Sequence, residues 1–183
     1  QNMINTLDHR GPDDSGIWVD PNNVISLGHK RLSILDISSA GHQPMSLERG
    51  KFVLTYNGEI YNHLELRANI EKDCKSIQWT GTSDTETLLA AFETWGIKKT
   101  LPQLRGMFAI AVYDKSKKKL SLIRDRFGEK PLYYGWVKSA DKNIFSFGSE
   151  LKAFSCVPEF NNNISKIALK EFFQYMYVPC PFS

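Results

Sequence analysis

A run over residues 52–56 (FVLTY) leads directly into the polar hexapeptide 57–62 (NGEIYN). The first run is mostly apolar and predicts a short buried strand. Asn62, followed three residues later by Glu65, predicts a capped start for a helix over about 63–74. A strand therefore passes to a helix through a polar turn, and such a turn can hold a small amide substrate.

Hydrophobic spacing and turn residues predict the remaining elements, with a strand-rich second half. We expect a hairpin with strands over 17–19 and 24–27 and a turn over 20–23, a helix from Ser83 or Asp84 to Gly96, strands over 107–113, 120–123, 132–137 and 144–147, a short helix over 149–154, and a last helix from Ser165 to Met176. Together these elements predict an α+β layered fold, in which helices cover antiparallel sheets.

Size and charge exclude several classes of protein. A chain of 183 residues with 42% hydrophobic content can form one core, and its length fits one domain. The net charge of +3 is too small to predict a nucleic-acid groove or binding to an anionic membrane. No apolar stretch approaches the roughly 18 residues that a membrane span requires. We therefore expect neither nucleic acid nor membrane as a partner.

Cysteine and histidine spacing gives no sign of a metal centre. The three cysteines, Cys74, Cys156 and Cys180, form no C-x-x-C pair, and the four histidines lack HExxH spacing. No phosphate-binding P-loop is present. We expect no metal and no cofactor in this domain, and a reducing, cytoplasmic setting.

The dipeptide Asn57-Gly58 can supply an oxyanion hole for amide hydrolysis. The side-chain amide of Asn57 and the backbone N–H of Gly58 could converge on one substrate oxygen, because glycine allows a close approach of the backbone. The alternative is a simple Asn-Gly turn with no chemical role.

Three charged residues elsewhere in the motifs can bind the two ends of a free amino acid. Arg31 can bind an α-carboxylate in a two-pronged contact, although a surface or ion-pair role is the alternative. Glu59 and Asp84 can receive an α-ammonium group, although acidic residues at helix starts also stabilise the helix. One arginine, two carboxylates and an oxyanion hole match the needs of glutamine.

Five segments carry a family resemblance: 9–13 (HRGPD), 31–34 (RLSI), 57–62 (NGEIYN), Ser83-Asp84 and 124–128 (RDRFG). They resemble, in the same order, the glutaminase domain of glutamine-dependent asparagine synthetases, which are class II amidotransferases with an N-terminal nucleophile. The resemblance covers about residues 7–154. It implies a four-layer αββα sandwich of antiparallel sheets for a glutaminase domain over residues 1–160. Residues 161–183 would lead into an ATP-dependent synthetase domain.

The same resemblance implies a role for each candidate residue. The glutamine carboxylate would bind Arg31, and its amino group would bind Glu59 and Asp84. Asn57 and Gly58 would form the oxyanion hole. Backbone groups near Leu32 and Ile34 would line the same site, whereas the segment 124–128 would have a structural role.

One departure concerns the nucleophile. The family uses an N-terminal cysteine, whereas position 1 here is glutamine. Because residues 1–7 resemble the family's helix ahead of His9, we expect the cysteine-bearing strand upstream of Gln1. We expect none of the three cysteines present to replace it, and therefore no glutamine turnover by these residues alone.

Three functions stay open. The first is the glutaminase domain of an asparagine synthetase, whose synthetase domain would use ATP and Mg²⁺ to amidate aspartate with the released ammonia. The second is an amidotransferase of the same family with another acceptor, a sugar or a different carboxylate. The third is a glutamine-binding scaffold without catalysis. Whether the protein forms a homodimer also stays open.

Overall fold

The structure is a computed structural model that describes residues 1–22, 24–139 and 142–182. Short strands and helices follow one another along the chain. The strands and helices are α1 (Asn2–Asn5), β1 (Asp14–Val19), β2 (Ser26–Arg31), β3 (Met45–Ser46), β4 (Phe52–Ile60), α2 (His63–Asp73), α3 (Asp84–Trp95), α4 (Ile97–Thr100), β5 (Gly106–Asp114), β6 (Lys119–Arg124), β7 (Tyr133–Ser139), β8 (Lys142–Gly148) and α5 (Lys166–Tyr175). Short 3-10 helices lie at Asp8–Arg10, Ser39–Gly41, Leu101–Gln103 and Leu151–Cys156.

The described strands pair in antiparallel fashion throughout. Strands β3, β4, β5 and β6 form one four-stranded sheet in that order, and β1–β2 and β7–β8 form two separate hairpins. The predicted hairpin around residue 20 is confirmed with longer strands, although Asn23 of its predicted turn lies outside the described residues. The four strands predicted for the second half are also confirmed.

The four-stranded sheet is covered on both faces, and each face has its own apolar cluster. Alternate residues of β4, such as Leu54 and Ile60, pack with Phe92 of α3 and further residues of α2 and α3. On the other face, Val53 packs with Leu27 of β2 and with a tyrosine of β5. The sheet therefore lies between a helical layer and the two hairpins.

The hairpins are covered in turn by a second helical layer. Helix α1 contacts β2 and the 3-10 helix at Leu151–Cys156, and that 3-10 helix contacts β8. The side chain of Ile4 lies directly over Gly28. Helices, sheet, hairpins and helices thus form four layers, and the predicted αββα sandwich of antiparallel sheets is confirmed.

The predicted polar turn at 57–62 is wrong for its first four residues. Strand β4 continues through Ile60, with Asn57 opposite Ala109 and Gly58 opposite Phe108 of β5. A Cβ atom on Gly58 would lie 2.7 Å from the Cα atom of Phe108, so glycine is required by the close approach of β5. Polar residues continue the strand here because one of its faces borders a cavity.

Helix capping follows the prediction at two of three sites. The hydroxyl groups of Ser83 and Ser165 each accept a backbone N–H of the helix that they precede. Asn62 makes no such bond at the start of α2. Its side chain instead donates to the carbonyl of Gln103 and accepts the N–H of Arg105. The predicted capping box is therefore wrong, because the side-chain amide of Asn62 bonds to the residues before β5 and not to the first turn of α2.

The last predicted helix is confirmed as α5, and it buries none of its residues. The short helix predicted over 149–154 is the 3-10 helix at Leu151–Cys156. Among the described residues, no helix has the length and apolar character that crossing a membrane would require.

Candidate active site

A cavity of about 1890 Å³ lies between the four-stranded sheet and the two hairpins. Residues of β2, β4, β5 and β8 form its walls. The structure brings all the site residues predicted from the sequence to this one space: Arg31, Leu32, Ile34, Asn57, Gly58, Glu59 and Asp84.

The side chain of Asn57 presents an unused hydrogen-bond donor at this cavity. Its amide nitrogen Nδ2 is buried and has no hydrogen-bond partner among the described residues. Small side chains, Ala109 and Ala111, line the cavity from the neighbouring strand. A buried polar group without a partner costs about 1–3 kcal/mol. An oxygen atom of a ligand in the cavity would remove this cost.

Arg31 is the last residue of β2, and its side chain is turned into the protein. Only 8% of the residue is exposed. The guanidinium group donates to the backbone carbonyl of Ser38 at 2.9 Å and to that of Asp36. Gly41 lies against the same group, where a side chain would collide with it. The surface role considered for Arg31 is therefore wrong, and the guanidinium is held in place by backbone carbonyls.

Asp84 is the first residue of α3 and is bound to β4. Its Oδ2 atom accepts hydrogen bonds from the hydroxyl of Tyr56 at 2.7 Å and from the N–H of Ile60 at 2.9 Å. The hydroxyl that caps the helix belongs to Ser83. Asp84 itself lies in the first turn of α3, where its negative charge also stabilises the helix start. Both hydrogen bonds end on Oδ2, which leaves Oδ1 for a ligand.

The other predicted site residues lie on the cavity wall with fewer contacts. Glu59 follows Asn57 on the same face of β4, and its carboxylate accepts no hydrogen bond within the described part of the chain. Leu32 and Ile34 are 56% and 72% exposed, so their side chains are turned largely to solvent. Any contribution of these two residues to the site must therefore come mainly from their backbone groups.

A histidine that the sequence left unassigned also lines the cavity. The Nδ1 atom of His29 lies 3.0 Å from the hydroxyl oxygen of Thr55 on β4. Burial lowers the pKa of His29 to about 4, and the nearby positive charge of Arg31 contributes to the shift. The imidazole is therefore neutral at pH 7. His29 and Arg31 are two residues apart on β2, so their side chains lie on the same face of the strand.

The segment before α3 is fixed by an ion pair that sequence reasoning missed. Arg67 donates to the carbonyls of Gly81 and Ser83 and pairs with Glu86 at 3.2 Å. The carboxylate of Glu86 also accepts the N–H groups of Thr80 and Gly81. The S-x-x-E spacing from Ser83 to Glu86 is the signal that could have identified Glu86.

No nucleophilic thiol lies at the cavity within the described residues. Cys74, Cys156 and Cys180 are free, and none of them lines the cavity. The same part of the chain contains no group of three or more histidine, cysteine or acidic residues that could hold a metal ion.

The αββα arrangement is shared with a solved amidotransferase. Glutamine phosphoribosylpyrophosphate amidotransferase from B. subtilis superimposes with a TM-score of 0.66 over 84% of this chain and 39% of that chain. The two sequences are 22% identical. This likeness shows that the two chains share one fold.

The chain belongs to the glutamine amidotransferase domain family, whose model matches residues 1–183. It is 40% identical over 99% of its length to a putative glutamine-hydrolysing asparagine synthetase from Methanocaldococcus jannaschii. It is 37% identical over 93% of its length to asparagine synthetase 3 from Bacillus subtilis. The amidase chry2 from Gibberella zeae is 31% identical over 97% of this chain. The family predicted from the sequence motifs is thus confirmed.

The chain matches only part of these relatives. It spans 37% of the archaeal protein and 26% of the Bacillus and Gibberella proteins. The match corresponds to a glutaminase domain, and most of each relative lies beyond the match.

Proposed function

We propose that the cavity binds free glutamine and that the domain releases ammonia from it for an asparagine synthetase. The observation that carries this proposal is the buried Nδ2 donor of Asn57, which has no partner in the described protein and lines the cavity. A carbonyl oxygen that becomes negative during amide hydrolysis is the ligand that such a donor favours.

The charged side chains at the cavity match the two charged ends of free glutamine. The guanidinium of Arg31 uses two of its donors on backbone carbonyls, and its remaining N–H groups can bind the α-carboxylate. Oδ1 of Asp84 and the carboxylate of Glu59 can receive the α-ammonium group. Backbone groups near Leu32 and Ile34 complete the enclosure of the substrate.

The reaction needs a thiol in addition to these residues. A thiolate attacks the side-chain carbonyl carbon of glutamine, and the charge that forms on oxygen is stabilised by Asn57 Nδ2 and the N–H of Gly58. The C–N bond then breaks, and the nitrogen leaves as ammonia after taking up a proton. Water hydrolyses the resulting glutamyl thioester to glutamate. No thiol of the described chain lies at the cavity, so we assign the nucleophile to a cysteine outside these 183 residues.

In the whole protein, the ammonia would pass to a synthetase domain. That domain would use ATP and Mg²⁺ to activate aspartate and would produce asparagine. Residues 161–183, which include the unburied helix α5, would lead into it. The reduced cysteines fit a cytoplasmic protein. Sedimentation of the intact protein would test whether it forms a homodimer.

A second candidate keeps the glutamine chemistry and changes the acceptor. The similarity to a relative named as an amidase, rather than as an asparagine synthetase, favours this alternative. An assay of the intact protein with glutamine, aspartate and ATP separates the two. Asparagine formation supports the first candidate, whereas glutamine hydrolysis without asparagine supports the second.

The glutamine site is tested by replacing the arginine at the cavity. We expect Arg31→Lys to raise the KM for glutamine of the intact protein, because lysine cannot keep both carbonyl contacts and bind a carboxylate in two-pronged fashion. Arg126 is the matched control, since it also donates to two backbone carbonyls but does not line the cavity. Equal effects of Arg31→Lys and Arg126→Lys on KM would contradict the proposed site.

A further inference from the structure

Asp36 joins two loops that border the cavity of the proposed glutamine site. Its Oδ1 atom accepts from the N–H and the hydroxyl of Ser38, at 2.9 and 2.6 Å. Its Oδ2 atom accepts from the N–H and the hydroxyl of Thr82, at 2.7 and 3.3 Å. One oxygen thus holds the loop after β2, and the other holds the segment before α3, 46 residues along the chain.

The backbone of Asp36 extends this connection to the guanidinium group. Its carbonyl accepts a hydrogen bond from Nη2 of Arg31. Thr82, on the other side of the carboxylate, stands two residues before Asp84. A continuous path of hydrogen bonds and short backbone segments therefore runs from the group proposed to bind the α-carboxylate to the group proposed to bind the α-ammonium.

Apolar packing contributes little to the position of the loop after β2. Leu32, Ile34 and Ile37 are all mostly exposed, and Ile37 is 87% exposed. By contrast, Asp36 is only 6% exposed. Hydrogen bonds from Ser38, and then from Thr82, hold the pKa of Asp36 well below its usual range, so its carboxylate stays ionised. Polar contacts therefore hold this loop, namely those of Asp36 and the hydrogen bond from the N–H of Ser33 to Asp13.

The two loops also touch without space for an additional side chain. A Cβ atom on Gly81 would lie 2.5 Å from Oδ2 of Asp36 and 2.7 Å from the Cβ atom of Ala40. Glycine at position 81 is therefore needed for the loops to close on each other. A methyl group there would separate them at the carboxylate itself.

We propose that Asp36 is a positioning residue that sets the distance between the carboxylate-binding and ammonium-binding groups of the glutamine site. This inference rests on the proposed function. The carboxylate of Asp36 should therefore strengthen the binding of ligands that carry both an α-carboxylate and an α-ammonium group. It should have little effect on the binding of a ligand that carries only one of these groups.

The test compares two ligands by calorimetry on the 183-residue chain. Glutamine has both charged ends, and 4-carbamoylbutanoate is glutamine without its α-ammonium group. We expect Asp36→Asn to weaken glutamine binding by about 10- to 100-fold, because an amide has only one acceptor oxygen for two loops and misplaced groups bind poorly. Binding of 4-carbamoylbutanoate should change by less than about threefold. A general loss of folding would weaken both ligands equally.

Two further variants make the test decisive. Gly81→Ala should reduce the preference for glutamine in the same way, since it separates the same loops without removing the carboxylate of Asp36. Asp114→Asn is the matched control, because Asp114 makes the same kind of contact with Ser116 and Lys117 away from the cavity. It should leave the preference unchanged.

The outcomes distinguish this inference from the proposed function. If the wild-type chain prefers glutamine and both Asp36→Asn and Gly81→Ala keep that preference, the role of Asp36 is overturned while the glutamine site stands. If the wild-type chain binds neither ligand, the proposed site and the inference fall together. Should Asp36→Asn not fold, the result for Gly81→Ala decides.

Discussion

The hydroxyl of Tyr56 donates a hydrogen bond of 2.7 Å to Oδ2 of Asp84, and this bond ties the middle of β4 to the first turn of α3. Burial raises the pKa of Tyr56 well above its ordinary value, and the negative charge of Asp84 raises it further. The phenol therefore keeps its proton and remains a donor. One oxygen of the buried carboxylate is fixed in this way, while the other stays available to a ligand.

Removal of this phenol should destabilise the domain. We expect Tyr56→Phe to lower the free energy of unfolding by about 1.5–3 kcal/mol, because a buried carboxylate loses a donor. Urea denaturation followed by circular dichroism measures the change. Tyr113→Phe is the matched control, since the hydroxyl of Tyr113 is buried with no partner among the described residues. Equal losses in the two variants would contradict the assigned role of Tyr56.

Asn57→Ala should affect catalysis without a matching loss of stability. We expect kcat for glutamine hydrolysis by the intact protein to fall by about 100- to 1000-fold with little change in KM, because the donor acts on the transition state. The Nδ2 atom has no partner among the described residues, so its removal breaks no hydrogen bond there. Steady-state kinetics and urea denaturation together check both expectations.

Asn62→Ala should lower the stability of the domain without affecting catalysis. Its side chain makes two hydrogen bonds to backbone groups near β5. We expect this variant to lose about 1–2 kcal/mol of folding free energy while kcat stays unchanged. If Asn57→Ala and Asn62→Ala lowered kcat alike, the oxyanion role would be wrong.

The neutral state of His29 predicts a particular dependence of stability on pH. Its pKa of about 4 in the folded protein lies below the 6.5 of an exposed histidine. Between these values the unfolded chain binds a proton that the folded chain does not, so the free energy of unfolding falls as the pH drops from 6.5 to 4. The loss from this group reaches up to about 3 kcal/mol.

NMR titration of the imidazole of His29 measures its pKa directly. Urea denaturation between pH 7 and pH 4 measures the stability, and His29→Gln should remove part of the decline. An imidazole that titrates near 6.5 in the folded chain would refute this prediction.

Asp125 is expected to be structural, in agreement with the role given to segment 124–128 by the family resemblance. Burial raises its pKa, but the N–H groups of Phe108, Phe127, Glu129 and Lys130 outweigh burial and lower the pKa to about 2. Its contribution to stability is therefore present above pH 3.8 and is lost as the pH falls through 2.

Asp125→Asn should lower the free energy of unfolding by roughly 2–4 kcal/mol, because one amide oxygen replaces two carboxylate oxygens that serve four donors. Asp125 does not line the cavity, so the KM for glutamine should be unchanged. A raised KM in a folded variant would instead indicate a role in the site.

Local chemistry explains which parts of the fold could be predicted. The serine at position 83 caps its helix because the contact spans three residues, and the apolar period from Leu88 to Trp95 follows from helical geometry alone. The hairpins follow from turn residues between β-rich runs. These signals all lie within a few residues of the structure that they determine.

Contacts between distant parts of the chain explain what was missed. The sequence predicts that Asn62 caps α2, but its side-chain amide forms hydrogen bonds with backbone groups about 40 positions later in the chain. The hydrogen bond from the N–H of Thr82 to Asp36 spans 46 residues and leaves no periodic signal. The meeting of Arg31 and Asp84 at one cavity was implied by the family resemblance, and spacing alone could not have shown it.

Titration of the ¹⁵N-labelled chain with L-glutamine, followed by NMR, shows residue by residue whether the cavity binds glutamine. We expect the side-chain NH₂ signal of Asn57 and the backbone amide signal of Gly58 to shift in a saturable manner. Arg31→Lys should weaken these shifts, and D-glutamine should produce smaller ones. Shifts confined to residues away from the cavity, or identical shifts with both enantiomers, would contradict a site that holds glutamine by its two charged ends.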